Sequence, residues 1–429
     1  MYITPPLIDF ALAPLTATPR ARAIAELSAV DWAACGITGF EEGTFGRWAR
    51  GQAAAGVSPT FAGETLTGPA AALVNATLSH ALDFDDTHFA HIGHPSVAII
   101  AAVLAAKPKD WTAFTEAVLV GFESSIRIGV WLGRDHYQRG FHQTATAGAF
   151  GACLGAARAM NLTPDQTQHA LGLCASMASG LKAQFGTMGK PLNAGLAARA
   201  GLEAAQWAWG GMTGAPDGLD AFGTAIGAER DKAALDGLGA TWQVEALSYK
   251  FHACCHGLHA TLEALSQDTG NAAFDRITIE THPRWMTVCN QPDPQTGLEA
   301  KFSYRHVAAM AMLGVSTGDI GSFTDDAAQD AGLVGARSKV DVFVMDDLSE
   351  TQARVTVERG AKHQVFTHDL AHPQPIEDLD QKLRVKTASL IGQGRSSDLW
   401  ASRDTHDLDA FITAAFQTTT PQKRASIEG

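Results

Sequence analysis

Aspartate and histidine residues are concentrated in residues 81–96, which read ALDFDDTHFAHIGHPS. The segment holds three aspartates and three histidines within twelve positions (Asp83, Asp85, Asp86, His88, His91, His94). Such side chains can bind a metal ion or can move protons in a metal-free active site. Histidines at every third position match no common zinc signature. We therefore expect a metal-free active site here, with a metal site or a solvated surface as the alternatives.

Three further segments carry residues that could do chemistry. Each segment also has an alternative interpretation. Residues 133–148 could be a solvated loop, and Lys190 in residues 186–195 could be a surface charge. Residues 249–264 could bind zinc, although they lack the usual spacing of cysteine pairs. The segments are residues 133–148 with Arg134, His136, Tyr137, Arg139 and His142, residues 186–195 with Lys190, and residues 249–264 with Lys250, His252, Cys254, Cys255, His256 and His259.

All four segments stand at the predicted N-terminal ends of helices. Pro95 and Pro191 each open an apolar, small-residue run directly after His94 and Lys190. Free backbone N–H groups and the helix dipole favour an anion at such an end. If the four ends meet, they form one pocket for a polycarboxylate inside an acidic protein.

The elements that must position these residues change in character along the chain. Residues 18–267 consist of successive runs rich in alanine, glycine and leucine, which predict helices buried against one another. After residue 272, β-branched and alternating runs predict strands at 276–282, 339–345, 353–360 and 363–370, separated by helices at 304–313 and 376–391. The predicted fold is mainly α with a smaller α+β domain. We place an all-helical domain at residues 1–268, an α+β lid domain at 269–393, and a C-terminal helical segment at 394–429 that returns to the helical domain.

Composition narrows the possible partners and the compartment. The chain has 429 residues and a formal net charge of -13, and no lysine and arginine cluster offers the basic face that nucleic acid requires. No apolar run approaches the roughly 20 residues that span a bilayer, and the N-terminus lacks the pattern of a secretory signal. The six cysteines include an adjacent pair, which suits reduced thiols. We expect a cytoplasmic protein without nucleic-acid or membrane partners.

At these segments the chain resembles the MmgE/PrpD family, which includes 2-methylcitrate dehydratase, cis-aconitate decarboxylase and iminodisuccinate epimerase. The matching motifs are HALDFDDTH with the following HPS, RGFHQTATAGAFGA, GTMGKPLNAG, the Lys250 segment with HATLEA, and AKFS. They occur in family order over most of the chain. The resemblance implies a large helical domain with a smaller α+β lid, an active site between them that needs no metal or cofactor, and a homodimer.

The resemblance also implies functional residues, each at the position that matches a family motif. Two departures from the family pattern, Gly189 and Asn193 around the motif lysine, suggest altered substrate contacts, and His306 replaces an aromatic residue often found after AKFS. The implied residues are Asp83 and Thr87 of LDFDDT, His94 of the HP pair, His142 before the small-residue helix, Lys190, Lys250 and His259.

Family reactions make or quench a carbanion beside a carboxylate, which requires positive groups as well as a base. We expect Lys190, Lys250 and His94 to hold the carboxylate of a small di- or tricarboxylate. His142, Tyr137 or Lys190 would move the proton, and Asp83 would orient a histidine or a substrate hydroxyl.

The reaction itself has several candidates. Dehydration of the 2-methylcitrate type comes first, and epimerisation of the iminodisuccinate type or decarboxylation of the cis-aconitate type are the alternatives. A metal-dependent hydrolase and a non-catalytic helical binding protein are the rivals from other classes.

Overall fold

A computed structural model describes residues 2–270 and 273–417, and the chain divides into two compact units. The first unit runs to Tyr249 and resumes at Ile376, and the second unit is Lys250–Pro375. Each unit is described by itself below.

The first unit is built from helices and one small hairpin. The region was predicted to be entirely helical, whereas residues 55–66 form two short antiparallel strands because Thr60 closes a turn by donating its backbone N–H to the Glu64 carbonyl at 3.0 Å. The elements are α1 (Thr4–Leu12), α2 (Pro19–Glu41), α3 (Gly43–Arg50), β1 (Ala55–Pro59), β2 (Thr65–Leu66), α4 (Gly68–Ser79), α5 (Pro95–Ala105), α6 (Trp111–Gln138), α7 (Gln143–Ala159), α8 (Pro164–Cys174), α9 (Gly189–Trp209) and α10 (Gly218–Ala225).

Small residues allow the central helices α4, α5, α7 and α9 to pack closely. Residues on all faces of α7 are buried. At Gly201 of α9 a side chain would meet the backbone of α7 at Cys153 and Ala149, so the two helices approach to backbone contact. This close packing fixes where the N-terminal ends of α5, α7 and α9 lie.

The second unit contains a four-stranded sheet with short helices. The strand order is β4-β3-β5-β6, with β3 parallel to β4 and antiparallel to β5, and β5 antiparallel to β6. Alternate residues of β5 are buried, which is the pattern of a sheet covered on one face. The elements are α11 (His259–Leu265), β3 (Arg276–Thr281), α12 (Trp285–Val288), α13 (Gly297–Ala300), α14 (Tyr304–Met312), α15 (Asp325–Gln329), α16 (Ala331–Arg337), β4 (Val340–Val344), β5 (Gln352–Arg359) and β6 (Lys362–Asp369).

The chain then returns to the first unit through α17 (Ile376–Ile391), α18 (Gln393–Asp404) and α19 (Leu408–Phe416). The unit boundaries differ from the predicted 268/269 and 393/394 because α11 packs on β5 and β6, whereas α17 packs on α2. The last part of the predicted C-terminal segment, residues 418–429, lies outside the described residues. Short 3₁₀ helices occupy Lys182–Gln184, Lys232–Leu235, Gln243–Ala246, His256–Leu258 and Ile320–Ser322.

The predicted fold class, mainly α with a smaller α+β part, is confirmed. The predicted strands and the helices of the central packing all appear, with ends shifted by a few residues. Among the described residues, no helix is both long enough and apolar enough to cross a membrane.

Candidate active site

Three helix N-termini of the first unit meet at one cluster of polar side chains. His94 is the N-cap residue of α5, His142 is the N-cap residue of α7, and Lys190 lies in the first turn of α9. Neither histidine caps its helix with its own side chain, so both rings are available for other contacts. The free N–H groups of these helix ends make the surroundings favourable for an anion.

The segment that follows α4 brings carboxylates to the same place. Asp83 has a φ of +50°, the left-handed region, which is unfavourable for a residue with a side chain and reverses the chain direction after α4. Thr87 pairs with Ser248 through two backbone hydrogen bonds of 2.8 Å. Asp86 accepts the Ser96 N–H at 3.2 Å at the first turn of α5. These contacts hold the segment at both ends.

Asp83 joins the lysine to one of the histidines. The Lys190 ammonium donates to Oδ1 of Asp83 at 2.6 Å, and the same oxygen lies 3.5 Å from Nε2 of His94. The Asp83 side chain is 43% exposed, whereas those of Lys190 and His94 are 15% and 11% exposed. The three groups therefore form a partly solvated cluster.

Asp85 lies beneath this cluster and contacts two imidazoles. Its Oδ1 is 2.9 Å from Nδ1 of His80, and its Oδ2 is 2.7 Å from Nδ1 of His94. Burial would raise the pKa of Asp85, but His80 and His94 outweigh burial and hold it well below its usual range. Burial lowers the pKa of His94 to about 4, although Asp85 opposes it. The arrangement is thus a buried carboxylate in contact with two imidazoles, one of which, His80, is hydrogen-bonded to it through Nδ1.

His142 completes the cluster from the third helix. Its ring stacks at 6.1 Å on His80 and lies 5.0 Å from the Phe185 ring. Burial, followed by the charge of Lys190, holds the pKa of His142 well below its usual range. Asn193 donates to its Nδ1 at 3.4 Å. With Nδ1 accepting, the proton of the neutral ring is on Nε2.

These contacts assign complementary proton roles to the cluster. We assign the proton of His94 to Nδ1, because that nitrogen lies 2.7 Å from the Asp85 carboxylate, and this assignment makes Nε2 the acceptor. His142 Nε2 and the Lys190 ammonium are donors. A site with an acceptor and two donors around one carboxylate can move a proton to or from a bound acid.

Four residues of this cluster are also of types that can bind a metal ion. Nitrogen and oxygen atoms of His80, Asp83, Asp85 and His94 lie within 4.8 Å of one another, which is close enough to surround one cation after small adjustments. However, the Lys190 ammonium at 2.6 Å already neutralises Asp83 and would repel a cation. Both oxygens of Asp85 also have imidazole partners. The contacts therefore suit proton transfer better than metal binding.

Two other predicted residues of the first unit have different surroundings. Thr87 is half-buried in the backbone pairing with Ser248 described above. Tyr137, near the end of α6, lies with its ring 3.6 Å from the Lys182 ammonium, which also donates to the Tyr137 carbonyl at 3.2 Å.

The remaining predicted residues belong to the second unit. Lys250 is 2% exposed and lies nine residues before α11, so it is not at a helix start as expected. His259 opens α11, and its buried ring lies 4.6 Å from His256. His306 is buried in α14 with Nδ1 3.5 Å from an Arg337 nitrogen, and burial lowers its pKa to about 4.

No functional role was predicted from the sequence for His80, Asp85 or Asn193. His80 is named above only within the motif HALDFDDTH, and the structure places it directly after α4, five residues before its partner Asp85. Asn193 was noted only as a departure from the family pattern. A histidine at the end of a helix with an aspartate shortly after it was the available signal.

Comparison with known proteins identifies the chain's relatives. The model of the MmgE/PrpD N-terminal domain matches residues 11–227, and that of the MmgE/PrpD C-terminal domain matches residues 252–404. A cis-aconitate decarboxylase of Aspergillus terreus (strain NIH 2624) is 34% identical over 226 residues, 48% of this chain and 46% of the relative. The human cis-aconitate decarboxylase is 26% identical over 355 residues, 75% of this chain and 73% of the relative. The chain thus spans just under half the length of the fungal relative.

Proposed function

The chain belongs to the MmgE/PrpD family, and from that premise we propose that it is a lyase acting on a small tricarboxylate through a carbanion intermediate. The observation that carries the proposal is the cluster of Lys190, Asp83 and His94, where a cationic donor, a carboxylate and an imidazole acceptor meet at helix N-termini. Carbanion chemistry beside a carboxylate needs these groups, because the C–H and C–C bonds concerned do not ionise without stabilisation of the developing charge.

A substrate carboxylate fits this cluster as a second partner of Lys190. An ammonium has three N–H donors, and Asp83 accepts one of them. The backbone N–H groups at the starts of α5, α7 and α9 add favourable dipoles. A bound polyanion adds negative charge next to Asp83 and Asp85. If these carboxylates lose their cationic or N–H partners, they repel the polyanion more strongly, so we expect weaker binding.

Decarboxylation is the first candidate reaction, because the relatives described above are cis-aconitate decarboxylases. In this reaction the bond between a carbon and its carboxylate breaks, carbon dioxide leaves, and the electron pair remains on the carbon. A neighbouring carboxylate held by Lys190 delocalises that pair. A proton from Lys190 or His142 then forms the new C–H bond, which leaves a dicarboxylic acid. The relatives thus move decarboxylation ahead of dehydration, which is the first candidate from the sequence alone.

Dehydration of a hydroxy-tricarboxylate is the second candidate, and the lowered pKa values of His94 and His142 favour it. Both rings are neutral near pH 7. His94 Nε2 can therefore take a proton from a carbon, after which the electron pair expels hydroxide, protonated by a donor of the cluster, as water. Epimerisation uses the same proton removal followed by return of a proton to the opposite face.

The other residues implied by the family keep proposed roles. We propose that Lys250 and His259 bind substrate, that Thr87 fixes the Asp83 segment, and that Tyr137 and His306 affect substrate preference. Their contacts within each unit are compatible with these roles, and single alanine variants assayed for KM test them.

We further propose that the protein is a homodimer, with the exposed side of α9 as the interface. Leu196 and Trp207, which lie eleven residues apart and therefore on one face of α9, are 47% and 39% exposed, which is unusual for two large apolar side chains on one helix face. A second copy that covers this side would bury them. Analytical ultracentrifugation should show a dimer, and Leu196→Glu with Trp207→Glu should shift it to the monomer.

The experiment that tests the proposed activity is product analysis by NMR with purified protein. Cis-aconitate, citrate, 2-methylcitrate and iminodisuccinate are incubated separately, and released carbon dioxide is measured in parallel. The proposal expects turnover of at least one tricarboxylate, abolished in Lys190→Met. Elemental analysis of the same preparation tests the metal alternative. Stoichiometric zinc or iron, with loss of turnover on chelation, would overturn the metal-free mechanism.

A further inference from the structure

Lys386 of α17 is a buried lysine whose ammonium reaches the candidate active-site segment. Its side chain is 3% exposed. Nζ donates to the Phe84 carbonyl at 2.6 Å and lies 2.6 Å from Oδ1 of Asp31 on α2, whose side chain is 1% exposed. It also lies 4.2 Å from the centre of the Phe84 ring. A buried ammonium is rare and unfavourable unless paired, so these contacts define a specific arrangement.

The contact falls between the two carboxylates of the candidate site. Phe84 stands directly between Asp83 and Asp85, in the segment between α4 and α5 that forms no helix. Asp83, with its φ of +50°, has a backbone conformation that must be held by its surroundings. The Phe84 carbonyl belongs to the peptide group that joins Phe84 to Asp85. A donor fixed to this oxygen therefore fixes the orientation of the peptide beside both aspartates.

The charges around Lys386 explain why a lysine is needed there. Asp31, Asp85 and Asp86 are all buried near one another. Burial alone would lower the pKa of Lys386, but Asp31, followed by Cys35 and Asp85, outweighs burial and raises it. Tyr249 and Cys35 are also buried beside these carboxylates. Lys386 thus remains charged and offsets a group of buried carboxylates.

We propose that Lys386 is a positioning residue for the candidate active site, acting through the Phe84 carbonyl. With Asp31 it holds the Phe84 peptide so that Asp83 faces Lys190 and Asp85 faces His80 and His94. The inference rests on the proposed function for its effect on turnover, but not for its effect on the segment itself. It connects the C-terminal helices to the site through a contact between residues 302 positions apart.

The test compares two variants of the pair. Lys386→Met removes the cation and the donor and leaves Asp31 as an unpaired buried carboxylate, so stability falls. The double variant Lys386→Met with Asp31→Leu removes both charges, and such apolar replacements of a buried ion pair often restore stability. We expect kcat of both variants to fall about 100-fold, because misplacement of a catalytic group by about 1 Å has an effect of this size. KM should change far less.

A matched control is the buried pair Glu123–Arg127 on α6. Its Nε–Oε1 distance is 2.6 Å, both side chains are 0% exposed, and Arg127 donates to the carbonyls of Ala234 and Asp236 at 2.9 Å, away from the Phe84 peptide. Glu123→Leu with Arg127→Met should affect stability and leave kcat of the folded protein within about threefold. If the Lys386 double variant regains wild-type kcat together with its stability, Lys386 is merely structural and the proposal is wrong.

Hydrogen exchange gives a readout that does not depend on turnover. Peptides covering residues 83–87 should exchange faster in the Lys386 double variant than in wild type, with little change in the Glu123 and Arg127 control. Unchanged exchange in these peptides would contradict the proposal. Because this comparison uses the double variant, it remains decisive if Lys386→Met alone fails to fold. If the wild type turns over no acid at all, the proposed function fails, and the exchange comparison alone decides the role of Lys386.

Discussion

His94 and His91 stand three residues apart in one segment, and their surroundings differ in every respect that matters for chemistry. His94 contacts the carboxylates of Asp83 and Asp85 and is partly exposed. His91 is fully buried, and among the described residues neither of its ring nitrogens has a hydrogen-bond partner. Residue type and spacing alone therefore do not identify which histidine is suited to proton transfer. A carboxylate partner and access from solvent do.

His88 is a third case between these two. Its Nε2 donates to the Gln243 carbonyl at 3.0 Å, and its Nδ1 accepts the His91 N–H at 3.2 Å. A bridge between His88 and Gly93 closes the loop, and Ile92 at its tip has a φ of +54°. This tight loop turns His88 and His91 into the protein and leaves His94 at the start of α5.

The largest expected effect separates His94 from His88. His94→Gln removes the proposed proton acceptor, and we expect kcat to fall at least about 1,000-fold, within the range for loss of a general base. His88→Gln keeps a donor for the Gln243 carbonyl, so kcat should stay within about threefold while stability falls. Steady-state kinetics with denaturant unfolding of both variants checks this. Equal losses of kcat in the two variants would remove the distinction.

The next effect separates two adjacent buried aspartates. Asp85→Asn replaces a carboxylate that contacts two imidazoles by an amide that can accept only through its oxygen, so we expect at least one ring to change its tautomer. We expect about a 100-fold fall in kcat. Asp86→Asn is the matched control, because burial, followed by the charges of Asp85 and Asp31, raises the pKa of Asp86 to about 7 and an amide resembles its protonated form. A larger loss in Asp86→Asn than in Asp85→Asn would reverse our assignment.

The smallest expected effect concerns His91 and appears in stability alone. Burial lowers the pKa of His91 from 6.5 to about 3. Between these values the unfolded chain binds a proton that the folded ring does not, so the free energy of unfolding falls as the pH falls from about 6.5. His91→Leu should reduce the slope by up to about 1.4 kcal/mol per pH unit and leave kcat unchanged. Urea unfolding at pH 7, 6 and 5 measures the slope, and an identical slope in the variant would show that His91 does not titrate in this way.

Much of the fold could be predicted from local sequence because its signals are local. Proline after His94 and near Lys190, and small-residue runs behind them, mark helix starts that the structure places within a few residues. Alternation of β-branched residues likewise marks the strands of the second unit. Lys250 was misplaced because a 3₁₀ turn and an irregular stretch precede α11, and neither has a strong sequence signal.

The site could be predicted only in part because its contacts are not local. Lys190 and Asp83 are 107 residues apart, and only the packing of α4 against α9 brings them to 2.6 Å. The sequence singles out Asp83 among three aspartates only by family resemblance. Asp85 could be named only as one of three aspartates, and Lys386 could not be singled out, because burial decides their roles and no spacing in the sequence reports burial at a given aspartate or lysine.

The most direct test of the central claim is deuterium incorporation during turnover in D₂O, followed by NMR of the product. The claim, for decarboxylation as the first candidate reaction, is that the carbanion formed beside a carboxylate is protonated within the cluster of Lys190, Asp83 and His94. Dehydration, the second candidate, forms no new C–H bond and would give turnover without deuterium. Wild type and His88→Gln should place one deuterium per turnover on the carbon next to a carboxylate, and Lys190→Met and His94→Gln should not. Turnover without solvent deuterium in the product, or incorporation at wild-type rate in both Lys190→Met and His94→Gln, would contradict it.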